Sequence, residues 1–97
     1  MLIPKHRKPT GPGGFLQEFL IEGRGITQQQ LADALHVTRK TINSIVKGRS
    51  RVTAAMALRL AKYTNTSVDL WLNAQRSVDL WEAQQTVNLD EITPMAG

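Results

Sequence analysis

The chain has 97 residues and not one cysteine. Disulfides, thiolate metal sites and cysteine nucleophiles are therefore excluded. Aromatic residues are scarce, with two Trp, one Tyr and two Phe, so aliphatic side chains must supply most of a core. Histidine is rarer still: His6 and His36 stand alone, with no second His or Cys close by to complete a ligand set. No apolar run is long enough to span a membrane and no segment reads as a signal peptide, which makes the cytoplasm of a bacterium or archaeon the expected compartment. The glycine-rich Gly11-Pro12-Gly13-Gly14 has neither a preceding strand nor a following Gly-Lys-Ser/Thr, so it is not a phosphate loop. Asp33 and His36, an i, i+3 pair at a helix end, read as a surface contact rather than a dyad. Neither an enzyme nor a cofactor is expected.

Positive charge is unevenly spread. The net charge is +4, but residues 1–51 hold nine Lys and Arg against three acids, while residues 52–97 hold three against five. A basic half suits phosphate and a near-neutral or acidic half suits protein contacts. The length predicts one domain with a small core. Residues 1–9 read as a basic arm (Lys5, His6, Arg7 and Lys8), either tracking a nucleic-acid backbone or serving as a solubilising tail. Residues 10–85 read as the folded unit and 86–97 as a tail, extended or loose.

The basic half contains the most informative stretch, TQQQLADALHVTRKTINSIVKG at 27–48. Thr27 with Gln30 forms a T-x-x-Q capping box, and Leu31, Ala32 and Leu35 give a core-facing stripe. Thr38 caps a second helix, in which Ile42, Ile45 and Val46 face inward and Gly48 sits where a left-handed C-terminal cap belongs. Ala32 is small where the two helices cross, and Val37 is buried in the turn. His36 occupies the turn position that demands a positive φ angle, a conformation histidine tolerates with some strain. Two capped helices joined by a tight turn make a helix-turn-helix, whose second helix lies in the DNA major groove. The outward face carries Thr38, Arg39, Lys40, Thr41, Asn43, Ser44 and Lys47, side chains suited to base edges and phosphates. Helix N-termini and basic loops bind phosphate through main-chain N–H groups and the helix dipole. Gln28, Lys47, Arg49, Arg51 and Thr53 are accordingly the phosphate-contact candidates.

The remaining segments complete an all-α, five-helix domain. Pro12 suits a first helical turn, and Phe15, Leu16, Phe19 and Leu20 repeat at helical spacing up to Glu22. Gly23 and Gly25 stop that helix and Ile26 staples the next. Thr53 caps a fourth helix, with Met56, Ala57, Leu60, Ala61 and Tyr63 on one face. Ser67 caps a fifth, running to about residue 85. The pentapeptide SVDLW occurs in it twice, but a ten-residue offset turns a helix by roughly 280°, so the copies share no face. The informative spacing is Trp71, Ala74, Val78 and Trp81, a 3-4-3 stripe of heptad type that reads as a dimer seam. Trp71 also suits the domain core, whereas Trp81 lies beyond what so small a domain covers.

On these residues the chain resembles the Cro/repressor-type helix-turn-helix proteins, and more closely the HigA branch of antitoxins. The resemblance covers residues 9 to about 85, through KPTGPGGFLQEFL, ITQQQLADALHVTRKTINSIVKG and VTAAMALRLAKYTNTSVDLWLNAQRSVDLWEAQ. Its most specific part is M-A-L-R-L-A at 56–61, followed by S-x-x-x-W-L-N-x-Q and D-L-W. The family usually shows His-Pro-Gly-Glu near the start and Gly in the turn. Gly11-Pro12-Gly13-Gly14 and His36 depart from both, so roles tied to that first His or Glu are not carried over. The resemblance implies a Cro/repressor-like fold with a C-terminal dimerisation helix, and a homodimer that represses its own operon by binding an inverted repeat in double-stranded DNA. It also implies capture of a cognate toxin, typically a RelE-like mRNA endonuclease encoded next door. By position it assigns Arg39, Lys40, Asn43 and Ser44 to bases and Thr38 and Thr41 to the groove edge. It assigns no toxin-contacting residue. Asp69, Asp79, Glu82, Asp90 and Glu91 could complement a basic toxin. The alternative is a stand-alone phage or chromosomal repressor with no toxin partner.

Overall fold

Four of the five helices in the computed structural model begin at a hydroxyl side chain, and each was predicted from the sequence. The model describes residues 7–96, so Lys5 and His6 of the basic arm lie outside the described residues. Thr27 Oγ1 accepts from the Gln30 N–H at 3.0 Å while Gln30 Oε1 accepts from the Thr27 N–H at 2.9 Å, the full reciprocal box. Thr38, Thr53 and Ser67 accept in the same way from the N–H groups of Thr41, Met56 and Leu70. These caps open α2 (Gln28–Leu35), α3 (Arg39–Val46), α4 (Ala54–Thr64) and α5 (Val68–Thr86). Satisfying an orphan N–H in this way is worth about 1 kcal/mol per helix.

The first helix, α1, starts without a side-chain cap at Gly11, with proline in the first turn. It runs as an α-helix over Pro12–Phe15 and continues with π-helical geometry over Leu16–Glu22. The wider ring is visible in the Gly23 N–H, which donates to the Glu18 carbonyl five residues back. Gln17 reaches Glu22 at the same spacing. Sequence periodicity marked the helix but not this change of pitch. Leu16 and Leu20 on this helix are buried, while Phe19 is 59% exposed.

The core is a single cluster of aliphatic side chains with one tryptophan. Leu16, Leu31, Ile42 and Leu60, from α1, α2, α3 and α4, are the largest fully buried side chains. Burying each contributes roughly 1.5–3 kcal/mol. From α5 Trp71 joins this cluster, Val68 and Leu72 pack against it half-buried, and Ala74 is buried as well. The Trp71 Nε1 donates to Thr66 Oγ1 at 3.0 Å, and its ring meets Phe15 edge-on at 6.4 Å. Arg59 Nη1 donates to the Leu35 carbonyl at 2.9 Å, tying α4 to the C-terminal end of α2. Tyr63, placed on the buried face by its spacing, is 41% exposed.

Beyond Ala74, α5 contains no buried residue. Nineteen residues make a helix about 28 Å long, and the core covers little more than its first third. The tail forms one 3₁₀ turn, Leu89–Glu91, and no strand occurs among the described residues.

Candidate nucleic-acid interface

The helix-turn-helix is set by two local devices at the ends of its helices. His36 closes α2 at φ 57°, ψ 44°, the left-handed conformation its position required. Its N–H donates to the Asp33 carbonyl at 3.3 Å, and the Val37 N–H donates to Ala32 at 3.0 Å. This turn aims α3. At the far end of α3 the Arg49 N–H donates to Ser44 at 2.8 Å and the Gly48 N–H to Ile45 at 3.0 Å, with Gly48 at φ 73°. That double bond is the Schellman pattern, and only glycine takes its left-handed position without strain.

A third device is steric. A Cβ built on Gly13 would stand 2.1 Å from the Ile45 carbonyl oxygen, so α1 seats directly on the last turn of α3. Within Gly11-Pro12-Gly13-Gly14, Gly13 thus makes the packing surface for α3, while a Cβ on Gly11 would meet Val78 of α5 at 2.7 Å.

Ile42 and Ile45 anchor α3 in the core, leaving Thr38, Arg39, Lys40 and Lys47 exposed and Thr41, Asn43 and Ser44 half-buried. Thr38 and Thr41 share a hydroxyl–hydroxyl bond of 2.9 Å at the helix start. Asn43 Nδ2 donates to Gln28 Oε1 at 3.1 Å, across the two helices. This bond joins a base candidate to a phosphate candidate, and it leaves the Gln28 amide hydrogens and the Asn43 carbonyl oxygen for an outside molecule. Arg39 and Lys40 place two cations in the first turn of α3, where the dipole is already positive and no acid offsets it. The helix starts at a local electrostatic cost, and the exposed face gains a concentrated positive potential.

The phosphate candidates separate into two groups. Gln28 and Thr53 sit at the starts of α2 and α4, and Lys47 and Arg49 are exposed in the loop between α3 and α4. Arg51 differs from them. Its two terminal nitrogens donate to both carboxylate oxygens of Asp79 at 2.5 and 2.6 Å. That hydrogen bond holds the Asp79 carboxyl below the usual carboxylate range and raises the guanidinium further above its own. Gln75 bridges the same elements, accepting from the Val52 N–H at 2.8 Å and donating to Asp79 at 3.0 Å. Nothing in the local sequence around Arg51 marks this partner.

The heptad stripe on α5 is divided as well. Trp71 and Ala74 are 3% and 6% exposed, buried within the protomer itself. The seam expected of this stripe therefore loses Trp71, which lies in the core cluster, and Ala74, which the protomer itself covers. Val78 and Trp81 remain half-exposed.

Two other features stand apart from α3. A cleft of about 500 Å³, lined by Phe15, Phe19, Tyr63, Leu70, Trp71 and Arg24 among others, includes no α3 residue. No three His, Cys, Asp or Glu side chains converge among the described residues in a way that could hold a metal ion. No helix among them is long and apolar enough to cross a membrane.

Comparison with known proteins places this arrangement in a family. A helix-turn-helix family model matches residues 16–71. An HTH-type transcriptional regulator of Escherichia coli K12, YbaQ, is 40% identical over 85 residues, spanning 88% of this chain and 75% of its own. Antitoxin HigA-1 of Vibrio cholerae is 36% identical over 78 residues, spanning 80% of this chain and 73% of its own. Among solved structures, Pseudomonas aeruginosa antitoxin HigA with the higBA promoter superposes with a TM-score of 0.81 at 31% identity, covering 92% of this chain and 100% of that one. The proteins of this family are DNA-binding regulators rather than enzymes. With the capped helix pair, the positive-φ turn and the M-A-L-R-L-A helix all in place, the chain belongs to the Cro/repressor-type helix-turn-helix family and, within it, to the HigA-type antitoxins.

Proposed function

We propose that this chain binds the operator of its own operon as a homodimer and neutralises a cognate RelE-like, mRNA-cleaving toxin by direct contact. The observation that carries the DNA half is the outward face of α3, set by its two end devices, on which Arg39 and Lys40 are exposed. A HigA antitoxin of the same fold has been solved with its promoter.

In this reading α3 enters the major groove with its N-terminal turn leading. Arg39 or Lys40 pairs with a guanine edge, worth about 1–3 kcal/mol of discrimination. Asn43 and Ser44 follow one turn later, and Thr38 and Thr41 flank the groove edge. Gln28, Thr53, Lys47 and Arg49 bind the backbone on either side, positioning the helix without reading sequence. Two protomers related by a two-fold axis read half-sites of an inverted repeat about one helical turn apart.

The uncovered part of α5 and the segment that follows it support the homodimer. Val78 and Trp81 are half-exposed, and Leu80, Val87, Leu89 and Ile92 are each 41% exposed or more. Trp81 Nε1 is shielded from solvent yet has no hydrogen-bond partner among the described residues. An unpaired N–H of that kind costs about 1–3 kcal/mol.

Sequence preference tests the DNA assignments. Arg39→Ala should relax preference at one half-site position, while Arg49→Ala should weaken binding to all duplexes about equally. An unchanged preference after Arg39→Ala would refute the base contact. The toxin half is tested by expressing the adjacent open reading frame with and without this chain. Growth arrest relieved by co-expression supports the antitoxin role. A harmless neighbour would favour the second reading, a stand-alone repressor, toward which the similarity to an E. coli transcriptional regulator points.

A further inference from the structure

We propose that Asp79 is a built-in competitor of the DNA backbone, occupying the Arg51 guanidinium in the phosphate-binding loop and thereby setting the strength and salt dependence of DNA binding. The proposal rests on the DNA-binding reading above.

Arg51 belongs to a loop that also carries Lys47 and Arg49, on the approach to the N-terminus of α4. A backbone phosphate offers an arginine fork the same pair of oxygens that a carboxylate does. Here that fork is already filled by Asp79, from a helix 28 positions away in the chain. The carboxylate is held for this role: Gln75 donates to it from one turn back on α5 and accepts from the Val52 N–H next to Arg51. Glu82, one turn beyond Asp79, adds a second negative charge felt at the guanidinium.

The pair is well shaped but shallow. The Arg51 side chain is 67% exposed and that of Asp79 31%. Exposed ion pairs contribute little to folding stability, so the fold has small need of this one. A bidentate bridge that scarcely stabilises the fold, placed beside a basic loop, removes one cation from the docking surface. It also keeps a carboxylate where phosphates must approach. Both effects act against DNA. The bridge can open, because its opening costs the fold little.

The test is a double-mutant cycle on the full chain, using the duplex upstream of this gene and a mixed-sequence duplex as reference. Binding is followed by fluorescence anisotropy across a salt series. Asp79→Asn keeps an oxygen to accept from Gln75 but gives up the charge. It should tighten binding to both duplexes several-fold and steepen the slope of log K against log salt by about 0.9 per protomer, one added phosphate contact. In an Arg51→Ala background the same substitution should give a much smaller gain and no steeper slope. Circular dichroism melts check that each variant folds. Wild-type binding with Asp79→Asn leaving affinity and slope unchanged would overturn the competitor alone. Weaker binding by Asp79→Asn would overturn it too, making the bridge a clamp that DNA binding needs. Equal gains in both backgrounds would also refute it, since Arg51 would then play no part. A wild-type chain that binds neither duplex would refute the DNA-binding reading, and this proposal with it.

Discussion

Gly13 is where the position of the recognition helix can be tested by a single methyl group. An alanine Cβ there would stand 2.1 Å from the Ile45 carbonyl oxygen and 3.0 Å from that of Val46. Carbon and oxygen ordinarily approach to about 3.3 Å, so α1 and α3 must separate by roughly 1 Å. Two main-chain carbonyls inside a hydrogen-bonded turn cannot rotate aside as a side chain would. Overpacking of this kind costs about 1–3 kcal/mol, and an unyielding neighbour places it near the top of that range. Alanine recovers about 1 kcal/mol of helix propensity over glycine, leaving a net loss near 2 kcal/mol. For a domain of this size that lowers Tm by about 8–16 °C. Gly14→Ala is the matched control. Its Cβ meets only the Thr10 methyl, at 2.8 Å, and that methyl can turn away. Thermal melts by circular dichroism should show Gly13→Ala strongly destabilised and Gly14→Ala unchanged or slightly more stable. Duplex binding below both melting points should also weaken for Gly13→Ala alone, because the displaced element is α3. A Gly13→Ala protein melting within about 2 °C of wild type would refute the close approach and the magnitude drawn from it.

Lys40→Glu should raise stability by roughly 0.5–1 kcal/mol by placing an anion in the first turn of α3 while lowering duplex affinity at least tenfold; a loss of both would show that the cation supports the helix. Trp81→Ala should shift the chain toward monomer in sedimentation and weaken operator binding without touching DNA, and a variant that stays dimeric would place the seam elsewhere. The Asp79 carboxylate, followed by NMR, should titrate below its ordinary 3.8 and move upward in Arg51→Ala. Its small contribution to stability is present above the ordinary carboxylate range and fades as pH falls through the depressed native value. A midpoint at 3.8 in the wild type would dissolve the bridge in solution.

Much of the fold was legible in the sequence because its punctuation is local. Thr27, Thr38, Thr53 and Ser67 cap helices through N–H groups only three residues away. Gly48 and His36 adopt left-handed backbone that the adjoining helix ends require. Such features depend on neighbours in the chain and survive without knowledge of the whole. The outward face of α3 was legible for a related reason, since helical period alone separates Ile42 and Ile45 from Arg39, Lys40 and Asn43.

What stayed hidden depends on distance in the chain. The π-helical pitch of α1 has no signature in apolar spacing, and neither has the exposure of Phe19. The purpose of Gly13 became plain only once α1 was seated on α3. Trp71, Ala74, Val78 and Trp81 form one uniform stripe in sequence, yet the edge of the folded core divides it between Ala74 and Val78. Arg51 read as one more cation in a basic loop until α5 brought Asp79 to it. Where helices begin and end, and which face of each is apolar, could be read from the residues alone, because those are short-range consequences of backbone geometry. Which exposed charges remain free and which helix surface is left uncovered emerged with the packed helices, because both depend on what packing brings together.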